Sequence, residues 1–196
     1  MNRENEPRDT VVIFIRHAES EYAAGREQER GLTQQGMKNA RRVSEMLAME
    51  PIDHVYSSPY VRAILTVQAL ADARGLTVRP VDELHERRIA GDDHPLTASQ
   101  FIASKRRAFE DFTYAEPGGE SSEAAQSRAV PSLLGLIRRH DGQRIAIGTH
   151  GDIMTLMMNY FDSGYGYDFW KGTSMPDIYR CTFRGGNLVE VERMWK

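Results

Sequence analysis

An α/β fold is predicted for this chain: a three-layer α/β/α sandwich on a mainly parallel sheet, with an antiparallel edge strand and a small helical lid. Three observations predict it. Residues 10–15 are a short apolar run rich in β-branched residues, which reads as a strand buried on both faces of a parallel sheet, and residues 144–149 read as another buried strand. Segments with helical spacing of apolar residues lie between the strands, so strand and helix alternate. Residues 178–183 and 188–191 flank Gly185-Gly186-Asn187, the pattern of a hairpin, which adds the antiparallel edge.

Each element has its own signal. The first strand stops at Arg16-His17-Ala18-Glu19-Ser20, and a polar loop runs to Gly31. Thr33 caps a helix to about residue 49, with Met37, Ala40, Val43 and Leu47 on one face. Residues 53–56 form a short strand ending in Ser57-Ser58-Pro59. Pro59 suits a first helical position with Ser58 as its cap, and this helix closes at Gly75. Residues 76–79 make a third strand, and residues 82–93 are charged and irregular. Helical character over residues 97–112 lies within the lid, residues 92–116. Residues 120–140 are helical, with Pro131 expected to kink or divide them. The strand at residues 144–149 ends at His150-Gly151, and residues 152–161 are apolar nearly all round, as a buried helix is.

The composition is that of one globular domain, residues 1–196, large enough to bury a substantial core. With 25 basic and 28 acidic residues the net charge is −3, too acidic for a general binder of nucleic acid or acidic membranes. The single Cys181 rules out an internal disulfide. No apolar run approaches the ~20 residues of a membrane span. The polar start of the chain lacks a signal peptide's apolar stretch, so a cytoplasmic location is expected. A homodimer is compatible with this composition.

In an open parallel sheet, ligands bind beyond the carboxyl ends of the strands. Arg16-His17, Ser57-Ser58 leading to Arg62, and Thr149-His150-Gly151 all follow strand ends, so they converge. Arginine matches phosphate with a planar fork, and helix N-termini after Ser58 and His150 add N–H donors. A neutral imidazole is a nucleophile toward phosphorus, so the cluster describes a phosphoryl-transfer site needing no metal and no cofactor. None of the six histidines has metal-ligand spacing. Taken singly, these residues read as a turn, a helix cap or solvated charges.

The same residues carry a family resemblance. Arg16-His17-Ala18-Glu19-Ser20, Leu32-Thr33-Gln34-Gln35-Gly36, residues 57–66 (SSPYVRAILT), Glu83-Leu84-His85-Glu86, residues 117–121 (PGGES) and His150-Gly151 stand in one order. In that order they resemble the histidine phosphatase superfamily, the phosphoglycerate-mutase-like proteins. The resemblance implies a small phosphate ester as substrate and His17 as the nucleophile that becomes a phosphohistidine. It assigns Arg16, Arg62 and His150 to the phosphoryl group, with Ser58 and Gly151 as weaker contacts. Glu86 becomes the proton donor, with Glu83 its rival.

One position departs from the family. Ala23 stands where mutase-like members have Asn, and Arg26 or Arg30 could substitute, although the simpler reading leaves both solvated. A phosphatase is favoured over a phosphoglycerate mutase or a non-catalytic phosphate-binding protein. Lys105-Arg106-Arg107 is expected to be a solvated helix face. Phe101, Phe109, Phe112, Tyr114 and Trp170 are expected to pack the helical segment rather than line the pocket.

Overall fold

The computed structural model describes residues 8–22 and 25–196; the polar start of the chain, residues 1–7, and Ala23 lie outside the described residues. Six strands form one sheet in the order β3-β2-β4-β1-β5-β6. They are β1 (Asp9–Arg16), β2 (His54–Ser57), β3 (Val78–Pro80), β4 (Arg144–Thr149), β5 (Asp177–Arg184) and β6 (Asn187–Arg193). Pairing is parallel between β1 and β4, β4 and β2, and β2 and β3, whereas β5 runs antiparallel to both β1 and β6.

Side chains alternate across the sheet, so one strand feeds two cores. Val12 and Phe14 of β1 join Ile145 and Ile147 of β4 on one face, while Val11, Ile13 and Ile15 join Ala146 on the other. The second face is covered by α1 (Gln34–Met46) and α2 (Val61–Asp72). The first is covered by α4 (Ser122–Arg139) and α5 (Gly151–Asn159), with α3 (Ala98–Glu110) and α6 (Tyr167–Gly172) outside them. Every residue of α5 from Gly151 to Met158 is buried, as its nearly all-apolar sequence requires.

Local signals explain most boundaries. Thr33 Oγ1 accepts from Gly36 N at 3.0 Å and starts α1. Gly36 also permits a close approach: a Cβ there would lie 2.1 Å from the Glu19 carbonyl oxygen, pushing α1 off the loop that carries His17. Thr97 and Gln100 form a capping box on α3. Three expectations change. Pro131 does not divide α4, because Ala129, Val130, Leu133, Leu136 and Ile137 on both sides of it are held in the same core. Ser58 does not cap α2; the helix begins at Val61 after Tyr60, and the Ser58 hydroxyl is used elsewhere. Helix α6 forms where no helix is predicted, its six residues being too few to show a helical period. Among the described residues, no helix is long and apolar enough to cross a membrane.

Candidate active site

The carboxyl ends of β1, β2 and β4 bring His17, Ser58 and His150 together. His17 N donates to Thr149 O at 2.8 Å and Ser58 N donates to Gly148 O at 2.8 Å, extending the parallel ladders just past the strand ends. The His17 and His150 rings lie 5.1 Å apart between centroids, nearly edge to face.

His17 has a defined tautomer. Its Nδ1 lies 2.8 Å from Ala18 O, and a carbonyl only accepts, so Nδ1 carries the proton and Nε2 keeps its lone pair. Burial, with help from the Arg62 and Arg16 charges, pushes its pKa down to about 3. The ring is neutral in any ordinary buffer. Ala18 N is held by Thr66 Oγ1 at 3.0 Å, and that hydroxyl donates to Arg62 O at 2.7 Å, tying the loop that carries His17 to α2.

His150 is fully buried, with Nε2 2.7 Å from Ser58 Oγ. Burial and the neighbouring His17, Arg62 and Arg16 hold it well below the usual histidine range. Its Nδ1, together with Nε of Arg16, Arg30 and Arg62, is buried with no hydrogen-bond partner among the described residues. Buried polar groups are rarely orphaned, so four nitrogens of this kind at one end of a sheet mark a site shaped for an acceptor-rich ligand.

The buried histidines make stability pH-dependent. The folded-state pKa of His17 lies below its unfolded value near 6.5, so the unfolded chain binds the extra proton as pH falls. The stabilisation is complete above about pH 6.5 and declines toward pH 3, by up to about 1.4 kcal/mol per unit for one such group. His17→Ala should therefore lose less stability than the wild type between pH 7 and pH 4. Equal losses in parallel denaturant titrations would contradict this.

Arg62 is buried, lies 4.9 Å above the Tyr60 ring, and reaches the Glu27 carbonyl, with the Glu27 carboxylate 3.7 Å away. Arg16 donates to Thr173. Gly151 opens α5 in a tight space: a Cβ there would lie 2.9 Å from Trp170 Nε1 and 3.0 Å from Arg16 Cζ.

Glu86 sits across the N-terminus of α5. Its Oε1 accepts from Ile153 N at 2.9 Å and Arg87 N at 3.0 Å, and its Oε2 from Asp152 N at 3.2 Å. Such amides favour the ionised form, but burial and the adjacent Asp152 charge outweigh them and raise the Glu86 pKa. Glu83 is exposed on the 3-10 turn Asp82–Leu84, away from this cluster, and only its carbonyl is engaged, by Arg128.

The structure alters several expectations. The α5 amides of Asp152 and Ile153 serve Glu86, and Val61 N at the start of α2 donates to Gln28 O, so the helix N-termini offer less to a ligand than expected. Arg26 is solvated against Glu29, but Arg30 turns inward, with a side chain 16% exposed. Lys105 is not on a solvated face: it is buried, 2.7 Å from Asp152, while Arg106 and Arg107 remain exposed. Asp152 and Arg87 pair at 2.8 Å with almost no exposure, a contact without a signal in the sequence because the two stand 65 residues apart, one in a buried helix and the other in an irregular segment. Phe109 lies in the core, and Phe112 and Trp170 pack against it as expected; Trp170 also lines a cleft of about 420 Å³ with Arg16, Ile102, Tyr167, Lys171 and Thr173.

Comparison with known proteins agrees with this geometry. The sequence profile of the histidine phosphatase superfamily (branch 1) matches residues 12–189. Phosphoserine phosphatase 1 of Hydrogenobacter thermophilus is 32% identical over 152 residues, spanning 71% of this chain and 70% of that protein. A 2,3-bisphosphoglycerate-dependent phosphoglycerate mutase of Azorhizobium caulinodans is 28% identical over 195 residues, spanning 88% and 92%. The fold is shared with a mycobacterial glucosyl-3-phosphoglycerate phosphatase, with a TM-score of 0.75, 21% identity, and 95% and 97% of the two chains covered. With a profile that spans His17, His150 and nearly the whole sheet, this chain belongs to branch 1 of the histidine phosphatase superfamily and is a phosphatase.

Proposed function

We propose that the chain is a metal-independent phosphomonoesterase acting on a small phosphorylated metabolite through a phosphohistidine at His17. One observation carries the proposal: the proton of His17 is fixed on Nδ1, so a bare Nε2 stands among buried, unpartnered cationic donors. In the first step the Nε2–P bond forms and the P–O bond to the leaving group breaks. Arg16 and Arg62 stabilise the phosphoryl oxygens, where the charge collects, without a metal ion. The Ser58 hydroxyl, accepting from Tyr60 N at 3.3 Å, can donate to His150 Nε2, which leaves the His150 Nδ1–H for the phosphoryl group. The Gly151 amide is a further donor.

Glu86 gives its proton to the departing alkoxide and then takes one from the water that cleaves the N–P bond. Its raised pKa and the added negative charge of a phosphoryl group both favour the protonated starting form. The cleft beside Arg16, between α3 and α6, lies at the small end of the ~300–1,000 Å³ range for ligand pockets, which suits a compact leaving group. We assign α3 the part of a lid over it.

The test compares p-nitrophenyl phosphate with an alkyl phosphomonoester after chelator treatment. Wild type should hydrolyse both without added metal. Glu86→Gln should slow the alkyl ester at least about tenfold more than the nitrophenyl ester, because a good leaving group needs less protonation. Activity that vanishes on chelation and returns with a divalent ion would overturn metal independence. The mutase relative supports a second reading, in which the phosphoryl group returns to another hydroxyl. Product analysis with a phosphoglycerate separates the two, free phosphate marking the phosphatase and an isomer the mutase.

A further inference from the structure

Asp152 takes no part in the steps above, yet it lies against Glu86. It is the second residue of α5 and is fully buried. Its backbone N–H donates to Glu86 Oε2 at 3.2 Å. Its own carboxylate points the other way, into two cations. Oδ2 accepts from Arg87 Nη2 at 2.8 Å and from Arg87 Nε at 3.2 Å, and Oδ1 accepts from Lys105 Nζ at 2.7 Å. Lys105 comes from α3 and lies 4.1 Å from the Trp170 ring centroid and 4.7 Å from that of Phe101. The pair Arg87–Asp152 is reinforced from behind by Ser122, whose hydroxyl meets Arg87 Nη1.

We propose that Asp152 is a positioning residue for the reaction: clamped between Arg87 and Lys105, it keeps Glu86 protonated and so sets the pH range in which the proton donor works. The proposal rests on the reading of Glu86 as that donor. A buried anion beside a carboxyl group opposes a second negative charge. The other charged or titratable groups facing Glu86 are Arg16 from β1, Tyr60 and Arg62 at the start of α2, Arg87 in its own segment and Lys105 from α3. The cations among them favour ionisation, as do the three backbone amides on the carboxylate. Asp152 is the anion that opposes them, and its single negative charge, shared between Arg87 and Lys105, offsets half of the charge of that pair.

The sign of each change follows. Glu86 must be protonated to act, so turnover of a poor leaving group falls as pH rises through its titration. Asp152→Asn removes the opposing anion and frees two cations, so this alkaline limb should move to lower pH. Lys105→Met removes a cation and keeps an apolar side chain against Trp170, so the limb should move to higher pH. A shift of about one pH unit corresponds to roughly tenfold in rate at a fixed pH above the limb.

The experiment records pH–rate profiles of the full chain with an alkyl phosphomonoester and with p-nitrophenyl phosphate. Opposite displacements of the alkyl-ester limb, with smaller changes for the nitrophenyl ester, support the proposal. Should Asp152→Asn not fold, the charge-balanced Asp152→Asn/Lys105→Met variant is compared with Lys105→Met, and its limb should lie lower. Limbs that stay in place while both substrates slow equally would show a merely structural cluster and overturn the inference. Glu86→Gln serves as the control. A Glu86→Gln variant that treats both leaving groups alike overturns the proton-donor reading and the inference with it. A selective Glu86→Gln effect with an unmoved Asp152→Asn limb overturns the inference alone.

Discussion

His17→Ala is expected to lower turnover by at least about 10³-fold, the scale seen when a covalent nucleophile is removed. No neighbouring group replaces it. The His150 ring is 5.1 Å away between centroids, and its Nε2 is engaged with Ser58. The substitution removes one side chain and leaves the His17 backbone bond to Thr149 in place, so the variant should fold. Rapid quench with a labelled monoester separates loss of chemistry from loss of binding. Wild type should yield an acid-labile, alkali-stable protein adduct, and His17→Ala should yield none. An adduct of the same stability on the variant would transfer the nucleophile's role to another residue.

The next largest effect is expected at Arg62. Its guanidinium is buried, anchored by Glu27 and stacked on Tyr60, and its Nε lacks a partner among the described residues. A donor preorganised in this way stabilises charge that grows in the transition state, and losing one costs about 10²–10³ in rate. Arg62→Ala should lose that much in kcat/KM. Arg62→Lys should recover only part, because an ammonium lacks the planar fork. Inhibition by inorganic phosphate should weaken in parallel. Arg26→Ala, altering a solvated residue of the loop that carries Glu27, is the control and should keep wild-type rates. If Arg62→Ala and Arg26→Ala behave alike, Arg62 does not bind the phosphoryl group.

Much of this molecule is legible in its sequence for local reasons. The strand at residues 144–149 falls where its apolar centre, Ile145-Ala146-Ile147, places it, because a strand buried on both faces needs no other code. Thr33 and Thr97 cap the helices they precede, since capping involves only neighbours in the chain. The meeting of His17, Ser58 and His150 is legible too, because parallel strands carry whatever follows them to one end of the sheet. Ser58 shows where local reading stops. Its position before Pro59 suggests a cap, but a histidine 92 residues away takes its hydroxyl.

The layered fold, the strand ends and the histidines and arginines that gather there can be read from the residues alone, because each depends on local pattern and on the direction of a strand. Packing between elements sets the environment of those groups: the proton on His17 Nδ1, the contact of Glu86 with the α5 amides while Glu83 stays exposed, the inward turn of Arg30, and the burial of Lys105 on Asp152. Protonation and charge pairing depend on which distant groups remove a side chain from water. That is settled by packing between elements, to which linear spacing carries no guide.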